Sequence, residues 1–165
     1  MASTATAPFR GSKTLKNTYR YGGGTVTILI DGAETGGTHA LLETVQGPGA
    51  EPPLHVHERE DETFFILEGN VSVWVGGQVH HLAAGESIFL PRGIPHTFRI
   101  KSPVARGLNF ISPPGFEQWF VQLGTPADSL DLAPELQPMS EELQRKFGEL
   151  SAELGVQIVG PTPEF

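Results

Sequence analysis

Four side chains of this sequence have the types and the spacing to bind one metal ion. His55 and His57 lie two residues apart in an extended apolar segment, and alternate residues of a β-strand face the same side. Glu62 adds a carboxylate oxygen and His96 adds a third imidazole. This mixed nitrogen and oxygen set suits Fe, Mn, Ni, Co, Cu or Zn better than Ca or Mg, and it leaves the choice among those six metals open. The chain has no cysteine, which excludes thiolate sites such as zinc fingers.

Short antiparallel strands are predicted to position these four side chains. Twenty glycines and fourteen prolines punctuate the chain and divide its first two-thirds into short apolar runs, a pattern typical of an all-β sandwich or barrel. The clearest hairpin has Gly76 and Gly77 as the two-residue turn between alternating strands. This single hairpin connects the segment of Glu62 to that of His96, so the two are held close in space. The predicted strands are Thr25–Ile30, Thr38–Val45, Thr63–Leu67, Val71–Val75, Gln78–Leu82, Ser87–Leu90, His96–Ile100 and Ala105–Ile111.

Two short helices are predicted after the strands. Apolar residues recur at helical spacing from Phe116 to Leu123, which predicts a helix over about 115–124. Ser140 is a good N-cap for a second helix over about 140–155. Both helices are expected to pack on a barrel that spans about 22–112. Residues 1–165 are therefore predicted to form a single domain.

The alternation along the strands also predicts what surrounds the four polar groups. If Glu62 points inward, so do Phe64 and Ile66, and the inward direction of His96 is shared by Phe98 and Ile100. The ion would then lie in an apolar chamber suited to a flat hydrophobic substrate. Further candidates for the lining are Trp74, Leu90, Phe116, Trp119 and Phe120. The last three could form a lid over the barrel mouth, or they could simply pack the helix onto the barrel.

Charge and composition exclude several classes of partner. The net charge of −8 repels phosphate backbones and anionic membranes, so nucleic acid and membrane are not expected as partners. The first residues carry neither a basic segment nor a long apolar run, so a cytoplasmic protein is expected. The acidic run from Glu58 to Asp61 is interpreted as a solvated hairpin loop. His39, His80 and His81 are given no role in the site.

These residues resemble the two motifs of the cupin superfamily. The first motif runs from Gly49 through His55, His57 and Glu62 to Gly69, and the second runs from Gly85 to His96. The resemblance implies a small antiparallel, jelly-roll-like β-barrel, a homodimer, and a divalent transition metal held by His55, His57, Glu62 and His96. The family pattern has Asn four residues after the last histidine, where this chain has Ile100. That difference leaves the metal ligands intact and suggests a more hydrophobic pocket.

The wider sequence is similar to single-domain bacterial cupins that resemble quercetin 2,3-dioxygenase. This similarity implies a metal-dependent dioxygenase that acts with O2 on a flavonol-like or other aromatic or phenolic small molecule, with Glu62 as metal ligand and catalytic base. Two alternatives stay open, because one fold supports many chemistries. The first is a non-redox cyclase, isomerase or lyase acting on a polyketide-like or small carbonyl compound. The second is a binding module that captures a small molecule without turnover.

Overall fold

The computed structural model describes residues 7–49, 51–131 and 140–165. Helices α1 (Glu117–Leu123) and α2 (Glu141–Leu154) lie at the predicted positions, and α2 begins with the Ser140 side chain accepting a hydrogen bond from the Leu143 N–H. The strands within the described residues are β1 (Thr18–Tyr21), β2 (Gly24–Ile30), β3 (Ala40–Gln46), β4 (Leu54–His57), β5 (Asp61–Glu68), β6 (Asn70–Val75), β7 (Gln78–Ala83), β8 (Ser87–Leu90), β9 (His96–Ile100), β10 (Ala105–Ser112), β11 (Thr125–Pro126) and β12 (Val156–Gly160).

The strands form two antiparallel sheets. The seven-stranded sheet has the order β11-β1-β2-β3-β10-β5-β8, and the five-stranded sheet has the order β12-β4-β9-β6-β7. Gly76 and Gly77 have φ values of 56° and 89° and form the predicted turn between β6 and β7. The predicted all-β class with two helices after the barrel strands is therefore confirmed. No helix among the described residues is long and apolar enough to cross a membrane.

Two hydrophobic clusters fill the space inside the sheets. The first cluster joins the seven-stranded sheet to both helices and contains Val26, Ala40, Leu42, Ile111, Phe116, Trp119, Phe120, Leu123, Leu150 and Val156. The second cluster is formed by residues of β5 to β10 and contains Ile66, Val71, Val73, Leu82, Leu90, Ile100 and Ala105. Phe64 and Phe98 pack against the second cluster with their rings edge to face, 5.9 Å apart.

Three of the described strands, β1, β11 and β12, lie outside the range predicted for the barrel. β1 pairs with β2, so the segment before Tyr21, which had no firm pattern in the sequence, adds a strand to the larger sheet. β12 follows α2 directly, because Gly155 ends the helix in the left-handed conformation with φ of 71° and the chain reverses there. β12 then pairs with β4, the strand that carries His55 and His57. The segment 132–139, between the predicted helices, lies outside the described residues.

Candidate metal centre

Three strands from both sheets bring the four predicted polar side chains together. β4 supplies His55 and His57, and β9 supplies His96, which pairs directly with His55 across the five-stranded sheet. Glu62 reaches the group from β5 in the other sheet. Each residue offers one ligand atom, and these four atoms all lie within 4.8 Å of one another. All four side chains are buried, with His57 only 1% exposed and Glu62 only 3% exposed.

The outer nitrogen of each imidazole has an acceptor, which orients the ring. Nδ1 of His55 lies 2.9 Å from the Pro53 carbonyl, and Nδ1 of His96 lies 3.1 Å from the Ile94 carbonyl. Nδ1 of His57 lies 3.3 Å from Glu60 Oε1. Because carbonyl and carboxylate oxygens only accept, each Nδ1 is the donor. The Nε2 atoms are then the available ligand atoms, which is how histidines are oriented in metal sites.

Both oxygens of the Glu62 carboxylate have hydrogen-bond partners. Asn109 on β10 donates from Nδ2 to Glu62 Oε1 over 2.8 Å. The other oxygen, Oε2, lies 3.2 Å from His96 Nε2 and 3.4 Å from His57 Nε2. The amide therefore fixes the plane of the carboxylate and leaves Oε2 directed at the imidazoles.

Burial and neighbouring charges shift the pKa values of these groups in different directions. Burial alone would raise the pKa of Glu62, but His57, His96 and the Asn109 hydrogen bond together lower it well below its usual range. Burial, reinforced by His96 and His57, lowers the pKa of His55 to about 4. Burial also opposes the charged form of His57, but Glu62 and Glu60 outweigh it and raise the pKa of that imidazole. Glu62 is therefore ionised and His55 is neutral near pH 7, as metal ligands must be.

Among the four side chains, Nε2 of His57 lacks a hydrogen-bond partner in the described part of the chain, and a bound cation would provide one interaction for it. Nε2 of His57 is inaccessible to solvent and makes no hydrogen bond within the described residues, although Glu62 Oε2 lies 3.4 Å away. A buried polar atom without a hydrogen-bond partner is energetically costly. Coordination of a metal ion by this nitrogen would remove that cost. Three imidazole nitrogens and one carboxylate oxygen also match the preferences of a divalent transition metal. His55, His57, Glu62 and His96 could therefore hold a metal ion.

Sequence analysis does not identify two residues that contact the centre, Glu60 and Asn109. The prediction of a solvated loop is wrong for Glu60, because its side chain is 4% exposed and contacts His57. Its neighbour Asp61 instead pairs with Arg92 at the surface, 2.8 Å away. The spacing of three residues between His57 and Glu60 is the feature of the sequence that could have indicated their contact. Asn109 comes from β10, and its contact with Glu62 depends on a register that the sequence does not show.

Only some of the residues predicted to line the chamber lie on the same strand faces as the four polar side chains. Ile66 and Ile100 lie in the second cluster with Phe64 and Phe98 beside them, on the same strand faces as Glu62 and His96. Trp74 does not join them, because Val73 and Val75 face that cluster and the side chain between them faces the outside of the sheet.

The aromatic residues around α1 divide between the centre and the core. The Phe116 ring stands edge to face against the His57 ring, 4.4 Å away. Trp119 instead contacts Phe147 of α2 and donates a hydrogen bond from Nε1 to the Tyr21 hydroxyl over 2.8 Å. Phe120 packs against Tyr21. Trp119 and Phe120 thus attach the helix to the barrel, whereas Phe116 makes a ring contact with the polar cluster.

A family model described as the cupin domain matches residues 42–106, the segment that contains all four polar side chains. This segment of the chain belongs to the cupin family. The fold resembles that of KdgF from a Halomonas species, whose structure superposes with a TM-score of 0.53 at 19% sequence identity, covering 59% of this chain and 87% of that one. At that identity the likeness supports the shared fold alone.

Two curated relatives of this cupin have names that indicate a chemistry. It is 27% identical to a quercetin 2,3-dioxygenase of Bacillus subtilis over 135 residues, which cover 81% of this chain and 39% of that enzyme. It is 30% identical to the tetracenomycin polyketide synthase protein TcmJ of Streptomyces glaucescens over 93 residues, which cover 55% of this chain and 62% of the relative. This cupin thus spans less than two-thirds of the length of either relative.

Proposed function

We propose that this cupin is a metal-dependent dioxygenase that acts on a flavonol-like or other aromatic, phenolic small molecule. The observation that carries the proposal is the convergence of three imidazole Nε2 atoms and Glu62 Oε2 in one buried site, each oriented from outside by a hydrogen bond. In this proposal His55, His57, Glu62 and His96 hold one divalent transition metal. The similarity to a quercetin 2,3-dioxygenase over most of the chain supports the choice of substrate class.

A redox-active ion at this position would supply the electron exchange between an aromatic substrate and dioxygen. The residues of the chain do the remaining work. Glu62 is the general base: its low pKa keeps it ionised, Asn109 fixes Oε1, and Oε2 would leave its ligand position to accept the proton of a phenolic hydroxyl. The histidines are not suited to that role, because each Nδ1 is already a donor and each Nε2 is a proposed ligand atom.

Phe116 supports an aromatic substrate at this site. Its ring lies against His57 and is itself 8% exposed, so it keeps water from that side of the cluster. A planar substrate would bind with its own ring against Phe116, and Phe64 and Phe98 would limit it from the side of the second cluster. Exclusion of water strengthens the electrostatic interactions of Glu62 with the substrate proton.

An oxygen-electrode assay with defined metals tests the proposal. Metal-free protein would be loaded separately with Fe²⁺, Mn²⁺, Co²⁺, Ni²⁺, Cu²⁺ or Zn²⁺ and supplied with a panel of flavonols and simpler phenols. We expect oxygen uptake in step with loss of the flavonol for at least one redox-active ion, and its loss in Glu62→Gln. The matched control is Glu58→Gln, which should retain the activity, because Glu58 is exposed in the loop between β4 and β5. Absence of oxygen uptake with every ion and phenol would contradict the proposal.

The similarity to TcmJ favours one second candidate, a non-redox cyclase, isomerase or lyase that acts on a polyketide-like or small carbonyl compound. Here the ion would act as a Lewis acid and Glu62 would again move a proton. The same protein preparations distinguish the two functions. Turnover of a polyketide-like compound with Zn²⁺ under anaerobic conditions would select the non-redox reaction, whereas strict dependence on oxygen would select the dioxygenase.

A further inference from the structure

The three imidazoles of the centre are supported in two different ways. Backbone carbonyls two residues earlier in the chain accept from Nδ1 of His55 and of His96. Nδ1 of His57 faces the carboxylate of Glu60 instead. A carbonyl is a neutral acceptor, whereas an ionised carboxylate accepts a stronger, charge-assisted hydrogen bond. His57 therefore differs from the other two imidazoles in the charge behind it.

The burial of Glu60 is unusual for its position in the chain. The loop between β4 and β5 also contains Glu58 and Arg59, which are both exposed, while the side chain of Glu60 is 4% exposed. Burying a carboxylate is expensive unless a partner compensates for it. The partner here is an imidazole that is itself buried and whose inner nitrogen makes no hydrogen bond in the part of the chain that the structure describes.

Two buried carboxylates contact the His57 ring, one at each nitrogen. Glu62 Oε2 lies 3.4 Å from the inner nitrogen, and Glu60 Oε1 lies 3.3 Å from the outer nitrogen. Glu60 thus adds a second carboxylate to the surroundings of His57, and it is not one of the four residues that offer an atom to the ion.

We propose that Glu60 is a positioning residue that makes His57 the strongest imidazole donor of the three and raises the affinity of the centre for a divalent transition metal. The inference rests on the metal site of the proposed function. A carboxylate that accepts from the outer nitrogen fixes the ring and its tautomer and increases the basicity of the inner nitrogen. Glu62 binds the ion directly, and Glu60 acts on the same ion through His57.

Metal binding in matched charge variants tests this role. Wild type, Glu60→Gln and Glu58→Gln would be prepared metal-free, and the Kd for Zn²⁺ would be measured by competition with a chromophoric chelator. Both variants remove one negative charge from the same loop, but only Glu60 contacts His57. We expect Glu60→Gln to weaken Zn²⁺ binding by about 10- to 100-fold, the range found for such supporting carboxylates. We expect Glu58→Gln to stay within about twofold of wild type.

A spectroscopic readout on the Cu²⁺-loaded proteins separates positioning from a general loss of structure. Pulsed electron paramagnetic resonance detects the remote nitrogen of each coordinated imidazole, and its quadrupole coupling depends on the hydrogen bond that it donates. In the wild type we expect one remote nitrogen to differ from the other two, and in Glu60→Gln we expect that difference to decrease. Glu60→Asp keeps the charge with a shorter reach, so its Zn²⁺ affinity should lie between those of wild type and Glu60→Gln.

The outcomes distinguish this inference from the proposed function. If wild type does not bind any of the divalent ions, the metal site and the role of Glu60 both fall. If wild type binds Zn²⁺ tightly and Glu60→Gln binds it as well as Glu58→Gln does, only the role of Glu60 is overturned. Thermal unfolding of the metal-free variants shows whether each one folds. Should Glu60→Gln fail to fold, the comparison of Glu60→Asp with wild type decides, and equal affinity and equal remote-nitrogen signals would overturn the role.

Discussion

Asn109→Asp would replace the amide that donates to Glu62 by a group of the same shape that can no longer donate when ionised. The wild-type Nδ2 lies 2.8 Å from Glu62 Oε1, in a buried position. After the substitution a carboxylate oxygen would face a carboxylate oxygen at that distance. The metal-free protein would then contain two adjacent buried carboxylates, which cannot both ionise without a large electrostatic cost.

The magnitude follows from two limits. Two unit charges about 4 Å apart repel by about 4 kcal/mol at an effective dielectric constant of about 20. The pair can avoid this repulsion by keeping one proton. For a carboxyl of ordinary pKa about 3.9, holding that proton costs about 4 kcal/mol at pH 7 and about 1.5 kcal/mol at pH 5. We therefore expect Asn109→Asp to lower the free energy of unfolding by about 4 kcal/mol at pH 7, and by much less at pH 5.

Urea unfolding of the metal-free protein at both pH values measures this effect. The control is Asn70→Asp, because Asn70 is exposed at the start of β6. A surface substitution of this kind is expected to change the free energy of unfolding by no more than about 0.5 kcal/mol at either pH. An Asn109→Asp penalty that is equal at pH 7 and pH 5, or that is as small as the control, would refute the placement of Asn109 against the Glu62 carboxylate.

Three further outcomes follow from the structure. Phe116→Ala should lower the free energy of unfolding by about 3–5 kcal/mol, because the ring is buried against His57 and two aromatic neighbours. Urea unfolding measures this loss, and a much smaller loss would contradict the close packing of the ring. The hydrogen bonds to Arg92 lower the pKa of Asp61 to about 2. The stability that Asp61 contributes should therefore be complete above about pH 4 and decrease as the pH falls toward 2. A difference in the free energy of unfolding between wild type and Asp61→Asn that stays constant from pH 6 to pH 2 would contradict this. A divalent ion at 100 times its Kd should raise the free energy of unfolding by about 2.7 kcal/mol and Tm by about 5–11 °C, reversed by a chelator, and an unchanged Tm in differential scanning fluorimetry would argue against binding.

The sequence was informative about elements whose pattern is local. Strands with turn residues at each end, such as the hairpin at Gly76 and Gly77, follow from alternation and backbone conformation, and both helices follow from apolar spacing and the Ser140 cap. β12 could not be predicted in the same way. Its role depends on pairing with β4, about one hundred residues earlier, and no local pattern specifies that partner.

The site divides along the same line. The convergence of His55 and His57 follows from the two-residue repeat of a strand, and the spacing of the motifs places Glu62 and His96 near them. Asn109 reaches Glu62 only because β10 pairs with β5 in a particular register. Trp74 shows the converse error, since the sequence analysis names it as a candidate for the lining, whereas strand parity directs its side chain away from the cluster that Val73 and Val75 face. The homodimer and the cytoplasmic location stay predictions.

The pairing of β12 with β4 connects the last strand of the chain to the candidate metal centre. Val156 lies opposite His57 and Ile158 opposite His55, whereas β9 contributes a single pair, His55 with His96, on the other side of β4. Local opening of β12 would leave the strand of two imidazoles almost unsupported. Metal binding and the closed state of β12 should therefore favour each other by the same free energy. Amide hydrogen exchange in β12 would then slow when the ion binds, although no residue of that strand is among the four proposed ligands.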